Sequence, residues 1–256
     1  HIEAGLRTHE LYSPFPEEIN RQIVSTFATL NFCPSSDTKK NLVAEGRKNI
    51  FVTGNTSLDS LRLARKKISS QEQELKDKYH FVNLNSKIIL LTCHRRENHG
   101  EKLLEIIRSI IEISKNQSVE FVIPVHLNPN VKSFFEVSFK DIPNVHLLAP
   151  LDYLDFIWWM EKAFLIITDS GGVQEEGPSF KKPILVLRES TERPEVIVTG
   201  QAKLVGSDFK KIVNTVKQCL DNKNYYDSFG KDSSPYGDGF SSVKIVQAIK
   251  DFFENS

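Results

Sequence analysis

Apolar and polar positions along the chain fall into two alternating rhythms. Short runs rich in β-branched residues read as strands: Ile50–Thr53, Lys87–Thr92, Glu120–Val125, Val145–Leu148, Leu165–Thr168, Ile184–Leu187 and Lys203–Val205. Segments with apolar residues at helical spacing lie between them, around 17–30, 37–45, 57–78, 101–115, 129–137, 152–162, 172–180 and 208–222. A last helix is expected over 241–254, with Val243, Val246, Ile249 and Phe253 on one face. Strands separated by helices of this length call for right-handed crossovers and a parallel sheet covered on both faces. The fold class is therefore α/β.

The pattern shows no internal repeat and no low-complexity linker. A boundary is expected at Thr53-Gly54-Asn55-Thr56, where a strand stops and a helix begins. Residues 1–53 hold one clear strand and two helices, too little for an independent core, and are expected to be the tail of a preceding domain. The chain opens on His1, in residues that already look like a strand-end loop, and reads as a fragment whose start was cut away.

Composition narrows the function classes. Lys plus Arg is 33 and Asp plus Glu is 33, so the chain lacks the bulk charge that would hold it on nucleic acid or an anionic lipid surface. Hydrophobic residues at 39% and charged residues at 26% fit a soluble globular protein rather than a disordered one. No apolar run approaches the ~20 residues of a membrane span, and no signal peptide is present, so a cytoplasmic location is expected. Cys33, Cys93 and Cys219 are far apart without a C-x-x-C pair and read as reduced thiols. No His, Asp and Glu cluster has metal-ligand spacing, so no metal and no cofactor are expected. The glycosylation-type triplets at Asn55 and Asn116 are chance matches without a secretion signal.

Polar residues concentrate after five successive strands. These loops are Cys93-His94-Arg95-Arg96-Glu97-Asn98, His126-Leu127-Asn128-Pro129-Asn130, Ala149-Pro150-Leu151-Asp152-Tyr153, Asp169-Ser170-Gly171-Gly172 and Arg188 to Glu195. In an open doubly wound sheet the carboxyl ends of parallel strands share one edge, where ligands sit, so the loops are expected to converge on one crevice.

The sharpest element runs from Asp169 through Ser170, Gly171 and Gly172 into Glu175 and Glu176. Glycines let a ligand approach the backbone, and the unpaired amides of a helix start favour phosphate. A plain serine N-cap with a glycine turn fits the local pattern equally well. The element is neither the G-x-G-x-x-G of a nicotinamide site nor a P-loop. His94, Arg95 and Arg96 suggest anion contact, with solvated surface arginines as the alternative. Arg193 is a second cation for the same crevice, and Phe156 could stack on a base or fill the core. Pro16-Glu17-Glu18 is by itself ordinary helix-start chemistry.

Taken together, HIEAGLRT, YSPFPEEINR, TGNTSLD, HRREN, PVHLNPN, TDSGGVQEE, TERPE and PYGDG occur in one order from His1 to Gly239. In this the chain resembles the non-hydrolysing bacterial UDP-N-acetylglucosamine 2-epimerases. The resemblance implies two Rossmann-like domains of GT-B type. It makes 1–54 the end of the first domain, 55–236 the UDP-binding domain, and 237–256 a helix crossing back. It further implies interconversion of UDP-GlcNAc and UDP-ManNAc for cell-surface polysaccharides, by elimination of UDP to 2-acetamidoglucal and its re-addition, and a homodimer.

By the same resemblance Ser170, Gly171 and Gly172 would bind the diphosphate, Glu176 the ribose hydroxyls, and Phe156 would pack on uracil. Arg193 and His94 would reach the diphosphate or sugar, and Glu3 and Glu17 would serve as acid/base carboxylates. His126, with Arg95 or Arg96, lies where some members bind a second, allosteric UDP-GlcNAc. The family also uses an aspartate and basic and glutamine residues of the first domain, upstream of His1, so the chain alone is expected to be inactive or nearly so. Three other readings remain: a hydrolysing relative releasing ManNAc and UDP, a glycosyltransferase of the same architecture, and a UDP-binding module without chemistry.

Overall fold

The computed structural model describes residues 1–12, 15–95, 98, 100–125, 129–230 and 234–254, with 129–131 by backbone only. The chain forms two compact units: Ala64–Thr191 with Val196–Asp232, and His1–Leu63 with Glu192–Glu195 and Ser233–Ser256.

The larger unit is built on six parallel strands. Lys87–Thr92 (β3), Val119–Pro124 (β4), Val145–Leu148 (β5), Leu165–Thr168 (β6), Ile184–Val186 (β7) and Ala202–Leu204 (β8) pair in the order β5-β4-β3-β6-β7-β8. Counted from β3, this is the strand order of a Rossmann-type doubly wound sheet. Ile88, Ile89, Leu90 and Leu91 are all buried, as a central strand with both faces covered requires. On one face, Glu101–Ser114 (α5) lays Leu103, Ile106, Ile110 and Ile113 against the strands, beside Ile212, Val213 and Val216 of Phe209–Asp221 (α10). Tyr153–Lys162 (α7) buries Ile157, Trp158, Trp159 and Met160, and Asp152 caps its start by accepting the Asp155 amide. The Tyr79 ring, just after Glu72–Lys78 (α4), stacks on Trp158 with centroids 5.6 Å apart.

The expected elements differ from the observed ones where side chains compete with the backbone. The helix expected over 57–78 is broken into Thr56–Ser70 (α3) and α4, because the Ser69 and Ser70 hydroxyls donate back to the Lys66 and Lys67 carbonyls at 2.7 Å. The helix expected over 172–180 is regular only as Gly171–Glu176 (α8). It then tightens to a 3₁₀ turn, Gly177–Phe180, where Pro178 removes an amide donor. Two short helices, Pro194–Val198 (α9) and Lys223–Tyr226 (α11), were not expected.

In the smaller unit, Asn31–Cys33 (β1) pairs in parallel with Ile50–Val52 (β2), and Ile2 bridges to Phe32. Three residues are too few to carry a period, so the hydrophobic pattern does not mark β1. Glu17–Phe27 (α1) ends three residues before its expected limit of 30. Ser36–Ala44 (α2) starts on a reciprocal capping box between Ser35 and Thr38. Gly5, at φ +89, sits so close to α2 that a Cβ would meet the Thr38 carbonyl oxygen at 2.1 Å.

The unit is closed by its last segment. The Asn55 amide donates to the Tyr236 carbonyl at 2.8 Å, and Arg62 Nε to the Gly239 carbonyl at 2.9 Å. The buried Asp59 carboxylate accepts the Ser241 and Ser242 amides, both at 2.9 Å, and so caps Ser241–Glu254 (α12). Among the described residues, no helix is long and apolar enough to cross a membrane. Cys33, Cys93 and Cys219 are buried thiols.

Candidate functional site

The strand order of the larger sheet reverses between β3 and β6, which leaves a crevice beyond their carboxyl ends. A buried acid governs both sides of it. Asp169 Oδ2 accepts the amides of His94 at 2.9 Å and Arg95 at 2.8 Å, and the Asn98 side-chain amide at 3.0 Å. Asp169 Oδ1 lies 3.1 Å from His94 Nδ1. Below them, Thr92 and Thr168 hydroxyls meet at 2.6 Å, and the Ser170 amide donates to Thr168 Oγ1 at 2.9 Å.

Burial works against the Asp169 charge, but the His94 ring and the Arg95 amide outweigh it and hold the acid below its usual range. The hydrogen bond to Asp169 holds His94 above the ordinary imidazole value, against burial. Burial first, then the Asp169 charge, pushes the neighbouring Cys93 thiol well up, so it is not a thiolate nucleophile.

A cavity of about 220 Å³ opens here. His94, Phe156 and Ser170, three of the residues expected from sequence, line it together. Pro124, Val125, Pro150, Leu151 and Val173 make the rest of the wall largely apolar, a surface suited to a flat ring. Ser170 stands at the N-cap of α8, yet its side chain makes no capping bond. The plain N-cap reading is therefore not what the hydroxyl does. Gly171 is buried and Gly172 exposed. A Cβ on Gly172 would touch only Ser170 Oγ, at 3.9 Å, and its backbone is not left-handed, so nothing in the fold itself demands glycine there.

One turn along α8, Gln174 ties the helix to the loop after β7. Its Nε2 donates to the Ser170 carbonyl at 3.2 Å, and its Oε1 accepts from the Thr191 hydroxyl at 2.6 Å. Glu176, the last residue of α8, is half-buried and accepts the Tyr153 hydroxyl at 2.8 Å. Burial raises its acid to about 7 despite that bond, and the nearby Glu175 charge adds to the rise.

Glu3, Glu17 and Arg193 belong to the smaller unit. Glu3 has a left-handed backbone at φ 60, unusual for a residue with a Cβ, and its Oε1 accepts the Thr56 hydroxyl at 3.4 Å. Glu17 is exposed on the first turn of α1, whereas its neighbour Glu18 is fully buried, accepting the Thr8 amide and the Gln22 side chain at 3.0 Å each. Arg193 Nη1 lies 3.3 Å from Glu192 Oε2. Arg95 enters the described network through its backbone amide. Arg96 and His126 lie outside the described residues.

Sequence reasoning gave no role to Asp169, Asn98, Tyr153 or Thr191. Asp169 stood inside a quoted motif, but nothing in the spacing shows that its carboxylate reaches a loop more than seventy positions earlier.

The family model described as UDP-N-acetylglucosamine 2-epimerase matches residues 1–250. A UDP-N-acetylglucosamine 2-epimerase of Salmonella typhimurium is 45% identical over 258 residues, covering 98% of this chain and 69% of that protein. The crystal structure of UDP-GlcNAc 2-epimerase from Neisseria meningitidis bound to UDP-GlcNAc superposes with a TM-score of 0.91 at 43% identity, over 98% of this chain and 69% of that one. An S. aureus co-structure with UDP superposes at 0.89 with 39% identity, over 99% and 69%.

Proposed function

The chain belongs to the UDP-N-acetylglucosamine 2-epimerase family, and from that premise we propose that it serves the non-hydrolysing interconversion of UDP-GlcNAc and UDP-ManNAc. The single observation that carries the reading is the joint lining of one crevice by His94, Phe156 and Ser170, at the switch point of a doubly wound sheet.

The sugar C2–H is not beside a carbonyl, so direct removal of its proton is slow. Elimination avoids the difficulty. A carboxylate takes the C2 proton, the C1–O bond breaks, and its electron pair leaves on the β-phosphate of UDP, giving 2-acetamidoglucal. Re-addition of UDP with protonation on the other face of C2 completes the inversion. Glu3 and Glu17 are proposed as acid/base carboxylates, and the strained backbone of Glu3 supports its part.

The departing diphosphate needs positive charge that strengthens as the bond breaks. His94, whose charged form Asp169 favours, supplies it beside the amides of Ser170, Gly171 and Gly172, with Arg193 as a further cation. Phe156 packs on uracil, and Glu176 accepts from the ribose hydroxyls. Arg95, Arg96 and His126 are proposed for a second, allosteric UDP-GlcNAc.

The domain reading is part of the same proposal: 1–54 belongs with a first Rossmann-like domain, 55–236 binds UDP, and 237–256 packs back on the first. A cytoplasmic homodimer completes it. These 256 residues span 69% of the Salmonella relative, and taken alone they are proposed to bind UDP with little or no turnover. Calorimetric titration with UDP, on the unaltered chain and on Phe156→Ala, tests the site. Micromolar binding lost in the variant is expected, and equal binding by both would refute the assignment. Incubation with UDP-GlcNAc of a form that carries the proposed first domain separates the chemistry: UDP-ManNAc is expected, and free ManNAc with UDP would refute the non-hydrolysing step.

A further inference from the structure

Tyr153 and Glu176 come from different helices and are joined by a 2.8 Å hydrogen bond. Tyr153 opens α7 three residues before Phe156, and Glu176 ends α8 three residues after Val173. Phe156 and Val173 both line the cavity. Residues three apart share a helix face, so the hydrogen-bonded pair borders the wall those two residues form. We propose that Tyr153 is a positioning residue. It aims the Glu176 carboxylate at the ribose diol of a nucleotide in the cavity, and so sets a preference for ribonucleotide over deoxyribonucleotide. The inference rests on the UDP-site reading above.

The physical case has two parts. A vicinal diol offers two hydrogen-bond donors, and a carboxylate accepts both only when its plane is fixed. The Tyr153 hydroxyl takes one lone pair of Oε1 and fixes that plane, leaving Oε2 and the remaining Oε1 lone pair for the sugar. A site built to accept from a hydroxyl rejects an analogue lacking it, because its own buried polar group is then left unpaired.

Ionisation is the second part. A protonated acid loses an acceptor site, and burial raises Glu176 to about 7. The groups facing it are the Tyr153 hydroxyl, which favours the charge, and Glu175 of its own helix, which opposes it. Removing the hydroxyl therefore both frees the carboxylate and moves its titration upward.

The test is calorimetric titration of the whole chain with UDP and with 2′-deoxy-UDP between about pH 6 and 8.5, the range that spans an acid near 7. Unaltered protein is expected to favour UDP by roughly tenfold at the alkaline end, with the preference shrinking as pH falls through about 7. Tyr153→Phe is expected to weaken UDP about five- to tenfold, to leave 2′-deoxy-UDP within about twofold, and to shift the pH midpoint upward. Glu176→Gln keeps the shape without the charge, and should abolish the pH dependence of the preference.

Equal weakening of both nucleotides by Tyr153→Phe, or an unchanged ratio and midpoint, overturns the proposal. So does a Glu176→Gln protein that keeps the original pH profile. If the unaltered chain binds neither nucleotide, the UDP-site reading itself has failed and this inference falls with it. That result is recognisable because no variant is needed to see it.

Discussion

Asp169 holds His94 by both its backbone and its ring: Oδ2 accepts the His94 amide at 2.9 Å, and Oδ1 lies 3.1 Å from the ring Nδ1. The same carboxylate thus shapes one loop of the crevice and favours the charged form of the imidazole lining it. Neutralising it should undo both.

Asp169→Asn is expected to bring the His94 titration back down toward about 6.5, as followed by the imidazole proton resonances. Because Asp169 is fully buried and accepts three hydrogen bonds, the substitution should also cost about 2–4 kcal/mol in denaturant unfolding. The pH dependence has a definite sign. The lowered Asp169 acid contributes stability above its unfolded value of about 3.9, lost as pH falls through the folded value. The raised His94 contributes stability below about 6.5, lost as pH rises through its folded value. The pair therefore supports the fold best between about pH 4 and 6.5.

Glu176 acts on stability in the opposite sense. Its acid is raised to about 7, so the folded chain holds a proton that the unfolded chain releases above about 4.3. Stability is lost as pH rises between those values. Glu176→Gln should consequently stabilise the protein by up to about 3 kcal/mol at pH 8 and by almost nothing at pH 4, read from urea midpoints. Equal effects at both pH values would show that burial is not the cause.

Gly172→Ala separates fold from ligand. Its methyl group meets only Ser170 Oγ at 3.9 Å, and the backbone there suits any residue. The melting temperature should stay within a few degrees of the original, while UDP affinity falls at least tenfold because the methyl group occupies the path to the α8 amides. Unchanged affinity would mean that no phosphate sits against that glycine.

Gly5→Ala should do the reverse. At φ +89, with a Cβ placed 2.1 Å from the Thr38 carbonyl oxygen, alanine forces the Gly5 segment away from α2. A loss of at least about 3 kcal/mol is expected from chemical denaturation, and a near-neutral result would contradict the close approach.

These cases show what can be read along a chain. The six-stranded parallel sheet was legible because its buried strands are apolar runs separated by helices of amphipathic period, as at Ile88–Leu91 and Leu103–Ile113. The crevice was legible because polar loops after parallel strands share one edge. Yet β1, with three residues, carries no period, and the break after Ser70 depends on hydroxyls turning back on the helix.

Within the site, glycine, serine and histidine announce themselves by type. Asp169 does not, because its partners arrive only when β3 and β6 pair. Tyr153 would pass for an ordinary first-turn aromatic until Glu176 is placed opposite it.

The hold of Asp59 on the start of α12 has a consequence for the chain as a polymer. Asn55 through Arg62 and Tyr236 through Ser242 are stitched together within one compact unit, so the intervening stretch is a loop whose two ends are already tied. Closing such a loop costs only about 0.6 kcal/mol more for each doubling of its length. Insertions and deletions in the surface turns of the six-stranded unit therefore leave the knot almost untouched. A single change at Asp59, by contrast, would slacken the tether on which the whole excursion hangs.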